Sequence, residues 1–382
     1  MTTSKSLLSV SPPGFDGVIL AGVCATLVGV GLQRFAYAPL LPAMVQQSWL
    51  SAADAGTLGA VNFAGYLAGA AMAPWTGRMV GMRAALRLAM ALAAVCFALC
   101  AWRGSLLWFA PWRALAGITG GWLMVLAGPA VQAAVAPGRR ALAGSAMFAG
   151  VGIGIVTSAA IVPALLPFGL QAAWLALAAA SAALGALAFP FWPDVPAPPR
   201  AATPKLTGAT GRLVGAYTLS GVAATPYMGW WPDFIARGLG QGTPAGSMYW
   251  LLFGLAIAVG AVLCGRLSQR FGAARLFRAL MVQQAVALAI PLVSQSTTAL
   301  VVATLLAGSC MVSLTAMALL LSFELAGAAA SGVWRISTVG WAAAQTGAGF
   351  ALAALYAATG SHLPLFGVGL VAAVAGAFLV RR

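Results

Sequence analysis

The chain has 382 residues, of which 62% are hydrophobic and 7% charged, and its mean hydropathy is +0.96. A water-soluble domain carries about 25% charged residues, so this composition excludes a soluble globule and requires burial in lipid. The formal charge of +15 does not signal nucleic acid, because the basic residues recur in short clusters between apolar runs, as they do where charge orients membrane helices.

The apolar runs are long, as helices require, and show no series of ten-residue alternating segments that would suggest a barrel. Breaks at charge clusters, Pro and Gly predict twelve helices, over about 17–44, 52–76, 84–102, 105–134, 141–167, 170–192, 212–237, 245–265, 274–295, 298–323, 329–358 and 363–380. Lys5 and a Pro-Pro-Gly stretch precede the first, whose apolar length exceeds that of a cleavable signal. PDVPAPPRAATPKLTGATGR, from residue 193, is the one extended non-apolar stretch. Its prolines and central position predict a linker over 193–211, joining an N-terminal six-helix bundle (1–192) to a C-terminal one (212–382).

Lys5, Arg78, Arg83, Arg87, Arg139, Arg140, Arg200, Lys205, Arg212, Arg266, Arg270, Arg275, Arg278, Arg381 and Arg382 fall on the linker's side of this arrangement, and only Arg103 and Arg237 on the other. That asymmetry predicts a multi-pass protein with both termini and the linker in the cytoplasm, in the inner membrane if the cell is bacterial. Trp49, Trp102, Trp108, Trp230 and Trp231 at outer ends, with Trp75 and Trp192 at inner ones, read as interfacial belts. The halves also repeat. AGTLGAVNFAGYLAGA (55–70) opens the second helix and AGSMYWLLFGLAIAVG (245–260) the eighth; GRMVGMRAALR (77–87) follows one and GRLSQRFGAAR (265–275) the other. Two parallel bundles with a cytoplasmic linker describe a transporter.

GRLSQRFGAAR resembles the loop motif of the major facilitator superfamily, with Gln269 where that motif has Asp. RALAGITGG (113–121) resembles the superfamily's fourth-helix pattern, an Arg followed by spaced glycines. RFAYAPLLP (34–42) with NFAGYLAGA (62–70) resembles the YbfB/YjiJ-type branch. The resemblance covers the whole chain and implies a transporter whose first and fourth helices in each half face a central cavity. It also implies an inner gate, for which Glu324, Arg266, Arg270 and Arg335 are the candidates. The fifth helix lacks the Gly-Pro pairing of the superfamily's antiporter motif.

Helix rise gives depth. Arg34 lies ten residues from the outer end of the first predicted helix, about 15 Å deep, with Asn62 on the second and Arg113 on the fourth at about the same level. An arginine at the centre of a lipid-facing helix costs about 3 kcal/mol, so Arg34, Arg113 and Arg335 together would cost roughly 8–10 kcal/mol. They require a wet cavity or partners. The five acids, Asp16, Asp54, Asp194, Asp233 and Glu324, all read as lying at or beyond helix ends, Asp54 in a capping box with Ser51. An anionic cargo is then the missing partner, since guanidinium presents a fork of donors that fits carboxylate and phosphate. The expected substrate site is Arg34, Arg113, Asn62, Tyr227, Tyr37 and Trp230. The competing expectation is that the arginines bond to carbonyls freed near Gly and Pro, or to Asn62, and brace helices.

Pro39 and Pro42 predict a kink near the outer end of the first helix. Gly65 with Gly69, Gly117 with Gly121, and GVGIG (150–154) predict close helix packing. Gln283, Gln284 and Gln345 read as interhelical hydrogen bonds, and Asp233 with Arg237 as an outer-end pair. The five cysteines read as buried thiols, and a single histidine, His362, leaves no metal site or triad. The expectation is a solute transporter, secondary active or facilitative, with no cofactor and no enzymatic activity, functional as a monomer, its partners being the solute and the lipid bilayer. The alternatives are an exporter of amphipathic compounds and a transporter-like sensor without flux.

Overall fold

The computed structural model describes residues 17–136, 140–196, 206 and 208–380. Lys5, Asp16, Arg139, Arg200, Lys205, Arg381 and Arg382 lie outside the described residues, as does most of the predicted linker. The described residues are helical almost throughout. The first span runs Gly17–Gln46 and is discontinuous: α1 (Gly17–Thr26), a widened π turn (Leu27–Leu32), an irregular turn over 33–36, then α2 (Tyr37–Gln46). There follow α3 (Ala52–Val80), α4 (Met82–Leu99), α5 (Leu106–Ala134), α6 (Arg140–Leu165), α7 (Leu170–Ala188), α8 (Gly208–Asp233), α9 (Gly242–Phe271), α10 (Ala273–Val293), α11 (Thr297–Ala326), α12 (Ala330–Thr359) and α13 (Leu363–Leu379). With α1 and α2 counted as one span, this is the twelve-helix architecture predicted from the sequence. A second π turn (Phe234–Gly238) extends α8.

Eight of the spans are long and apolar enough to cross a membrane on length and composition alone. α3, α8, α12 and α13 are not in that group; α13 is apolar but only 17 residues long, and the packing of the other three accounts for their lower hydropathy. α3 and α12 pack on each other, and α8 packs on α12, α13 and α2, so these helices turn polar and small residues toward neighbours in place of lipid. α6 against α9 forms the other long seam between the halves.

Small residues set the closest approaches. A Cβ on Gly65 would collide with the carbonyl of Ala114, and one on Gly117 with the carbonyl of Asn62, so α3 and α5 meet backbone to backbone. Between α6 and the first span, Gly154 meets Gly31 in the same way. At the linker end, arginines cap exposed helix carbonyls: Arg83 Nε donates to Trp192 (2.9 Å) and Arg278 Nη2 to Val380 (2.7 Å).

The break in the first span lies upstream of the expected kink. Pro39 and Pro42 have no N–H to give the carbonyls of Phe35 and Ala38, and the ladder loosens one to two turns earlier, where Gln33 N bonds Val28 O (2.9 Å) and Phe35 N bonds Val30 O (3.3 Å), five residues back. Gly29 and Gly31 lie in that weakened stretch. Arg34 is inside it.

Opposite the linker, at what is here called the far end, the halves close on each other. α2 packs on α8 and α9, whereas α1 packs on α5, α6 and α7 of its own half. Thr243 Oγ1 donates to Gln46 Oε1 (2.8 Å) across the seam, and Trp230 lies over Gly56, where a Cβ would strike its ring. Cys24 to Met44 is buried throughout, and so is every residue from Ala223 to Ala236 except Gly229, while residues 208–219 of α8 alternate between buried and accessible. Trp75 and Trp102 are exposed as belt residues should be, but Trp192, Trp230 and Trp231 are buried. Each of those three fills a helix junction; Trp231 Nε1 donates to Thr304 Oγ1 (3.1 Å).

Candidate functional site

Arg34 projects from the loosened turn into a cage of rings drawn from both halves. Its guanidinium carbon lies 4.7 Å from the Tyr66 ring centroid and 5.0 Å from Phe63, both on α3, and 5.3 Å from Trp341 on α12. Tyr217 of α8 stacks on Trp341 (centroids 6.2 Å apart), and its hydroxyl donates to Thr315 Oγ1 (3.0 Å). Arg34 is 7% exposed. Rings attract a guanidinium through their faces, but its N–H groups lie in its plane, and Nε and Nη2 of Arg34 find no acceptor. Among the described residues no carboxylate pairs with it.

Arg113 is 1% exposed on α5 and faces a different environment. It lies 4.5 Å from the Tyr37 ring, beside Cys96 and Cys100, and its Nε has no acceptor. Tyr37 itself is committed, its hydroxyl donating to Ala55 O (2.7 Å). Asn62 Nδ2 donates to the backbone carbonyl of Arg113 (3.0 Å), tying α3 to α5. The structure therefore groups Arg113, Tyr37 and Asn62 within the first half, and Arg34 with aromatic residues across the seam.

The two candidates from the second half are packed elsewhere. Tyr227 donates to Ala287 O (2.6 Å) and stacks among Trp231, Phe253 and Phe366. Trp230 packs on Tyr356 and His362 at the far end. Glu324, Arg266, Arg270 and Arg335 are exposed toward the linker end of α11, α9 and α12, and among the described residues Glu324 makes no ion pair. Gln283 (to Leu306 O and Ser309 Oγ), Gln284 (to Ser220 O) and Gln345 (to Met228 Sδ) make the interhelical bonds expected of them. All five cysteines are buried and unpaired.

Asp233 closes α8, at the helix end expected of it and paired with Arg237, and it is 0% exposed: the chain continues past it in the π turn, which folds Arg237 back onto both carboxylate oxygens. His362 Nε2 completes the group, 2.7 Å from Asp233 Oδ2. Sequence spacing gave the pair but not the histidine, which comes from 129 residues away. For the cage, Tyr66 was within reach, one turn beyond Asn62 in NFAGYLAGA; no local signal links Trp341 or Tyr217 to Arg34.

The family described as uncharacterised MFS-type transporter YbfB matches residues 26–381. The chain belongs to this family. No curated protein matches it. Among solved structures it is similar to the crystal structure of a D-xylose-proton symporter, with a TM-score of 0.71 at 15% identity over 94% of this chain and 96% of that one. Likeness at that identity carries the fold: two pseudo-symmetric six-helix bundles of the major facilitator type. The YbfB-type chain is thus an integral multi-pass membrane protein of a transporter family, and its partner is a small-molecule solute.

Proposed function

We propose that this YbfB-type transporter moves a small carboxylated or otherwise anionic solute by alternating access, as a monomer, with its linker and termini in the cytoplasm. In a bacterial cell it occupies the inner membrane. One observation supports the anionic reading above the others: a guanidinium enclosed between the halves, with two in-plane donors lacking acceptors and no carboxylate beside it. An unmatched buried donor is unfavourable by about 1–3 kcal/mol, more when charged, and a bound carboxylate would satisfy both donors at once through the bidentate geometry that arginine favours. The ring faces of Tyr66, Trp341 and Tyr217 would receive the apolar remainder of the solute. Arg113, Asn62 and Tyr37 support the position of α2 and α5 around that site.

Thermal-shift measurements on the purified protein, using a panel of organic acids alongside their methyl esters, test this reading. A binder stabilises the native state according to its concentration relative to Kd. Acids are expected to raise the melting temperature and their esters to leave it unchanged. Arg34→Lys, which keeps the charge and loses the fork, is expected to weaken binding by about tenfold or more. Esters binding as well as acids, or a folded Arg34→Ala protein with unaltered affinity, would remove the anion from the proposal.

A further inference from the structure

We propose that the solute is a flat aromatic monocarboxylate, a benzoate-type acid whose carboxylate is held by Arg34 and whose ring is enclosed by the surrounding aromatic side chains. This inference rests on the anionic reading of the site and narrows it from anions in general to one chemical class.

One negative charge is matched there, and no second. Among the described residues Arg34 and Arg113 are the only buried arginines. Arg113 faces Tyr37, Cys96 and Cys100 inside the first half. Arg335, on the same helix as Trp341, is exposed toward the linker end. A second carboxylate on the solute would enter the cage without a cation of its own, and burying a charge in that way is strongly unfavourable.

The hydroxyls around the cage are largely taken. Tyr217 donates to Thr315 Oγ1 (3.0 Å), Ser220 to Tyr217 O (2.7 Å) and Thr338 to Trp334 O (2.9 Å). Gln345 is turned to Met228 Sδ. On α3, α8 and α12 the buried hydroxyl left without a partner is that of Ser337, one turn before Trp341. A sugar acid would bring a run of hydroxyls to a place that answers one. Each buried donor or acceptor left unmatched weakens binding.

What remains is aromatic surface from both halves. Phe63 and Tyr66 of α3 and Trp341 of α12 lie about the guanidinium. Behind Trp341, Tyr217 stacks at an interplanar angle of 22°, and Trp334 lies 6.0 Å from Tyr217. Trp334 is two turns from Trp341 on α12, so these rings form a row running from Arg34 toward the linker end. Gly221 lets the row seat closely on α8, since a Cβ there would meet the Trp341 carbonyl at 2.6 Å and its indole at 3.2 Å. A carboxylate on the guanidinium fork lies in the plane of the fork, and in a benzoate-type acid the ring lies in the plane of its carboxylate. Such a solute keeps one plane along its length and presents π faces to the rings. A saturated ring is puckered and has no π face. Aromatic pairs gain stabilisation beyond the area they bury, and two such pairs correspond to about tenfold in affinity.

Thermal-shift titrations of the full-length protein in detergent test this with benzoate and 2-naphthoate, each beside its saturated-ring counterpart, and with terephthalate and glucuronate. At least one aromatic acid is expected to bind about tenfold or more tightly than its saturated counterpart. Terephthalate and glucuronate are expected to give no shift at about ten times the Kd of that acid. Trp341→Leu is expected to bring the aromatic-to-saturated ratio within about twofold while the saturated acid binds as before; a merely structural loss would weaken both alike. Tyr66→Leu serves as the second variant if the first does not fold. Saturated acids binding as well as aromatic ones, a shift with glucuronate, terephthalate binding more tightly than benzoate, or a folded variant with its full preference overturns the aromatic class and leaves the anionic reading standing. No shift with any acid removes both.

Discussion

Around Arg34 the rings and the donors act on different parts of one group. Phe63, Tyr66 and Trp341 lie about the guanidinium and contribute roughly 0.5–2 kcal/mol each through its π-plane, whereas Nε and Nη2 at its edge are left without acceptors. Arg113 leaves one such donor, Nε, without an acceptor, whereas Arg34 leaves two. Arg34→Met separates the two roles, since it retains the length and apolar stem and removes only the head. Replacing a buried charge by an apolar group of similar volume is often neutral or stabilising by about 1–4 kcal/mol. The variant is expected to melt no lower than the parent without solute and to lose the solute-induced shift. A marked fall in its melting temperature would instead make Arg34 a brace. Asn62→Ala should behave in the opposite sense. It removes the bond to the Arg113 carbonyl, should lower stability by about 1 kcal/mol, and should change solute affinity less than any change at Arg34.

At the scale of elements, the contact of α3 with α5 is set by glycine. The obstacles a side chain would meet at Gly117 are the Asn62 carbonyl and the Tyr66 amide, backbone atoms that cannot rotate away. Gly117→Val is expected to force the two helices apart, lowering stability by about 3 kcal/mol or more and drawing Tyr66 out of the cage, whereas Gly128→Ala on the same helix meets nothing and should be silent. Melting curves of the two variants side by side decide it; equal tolerance would mean that the approach of α3 to α5 is not tight. This packing was legible in sequence because small-residue spacing directly encodes a close face. Helix number was legible too, since each span must satisfy its own backbone in lipid. The break around Arg34 was not. The prolines pointed to the right helix, but the ladder yields where glycines upstream weaken it, and that depends on α5 and α6 pressing against Gly29 and Gly31. The Trp341 and Tyr217 side of the cage and the Asp233–His362 contact were invisible for a related reason: each joins residues more than a hundred positions apart, and no local periodicity records which faces of distant helices meet.

Across the whole molecule, alternating access as proposed requires the far end to open, and in this structure that end is closed, with α2 of one half packed on α8 and α9 of the other. Trp230 against Gly56, Thr243 to Gln46 and α2 on α8 and α9 cross the seam at this end, while α3 with α12 and α6 with α9 make the longer seams between the halves. Fixing the far end should therefore stop transport without removing the site, because Arg34 lies on the linker side of that closure. Gln47→Cys with Gln241→Cys, joined by a bifunctional thiol reagent, makes this a measurement: both positions are exposed at the far end, whereas the native cysteines are buried. In proteoliposomes the linked protein is expected to lose flux of any solute found by thermal shift and to recover it when the link is cleaved. Binding in detergent, where solute reaches the open side freely, should remain within about threefold of the parent, since the conformation being fixed is one that already holds the site. Flux through the linked protein would show that the far end is not the barrier; loss of binding together with flux would place the site outside the cage.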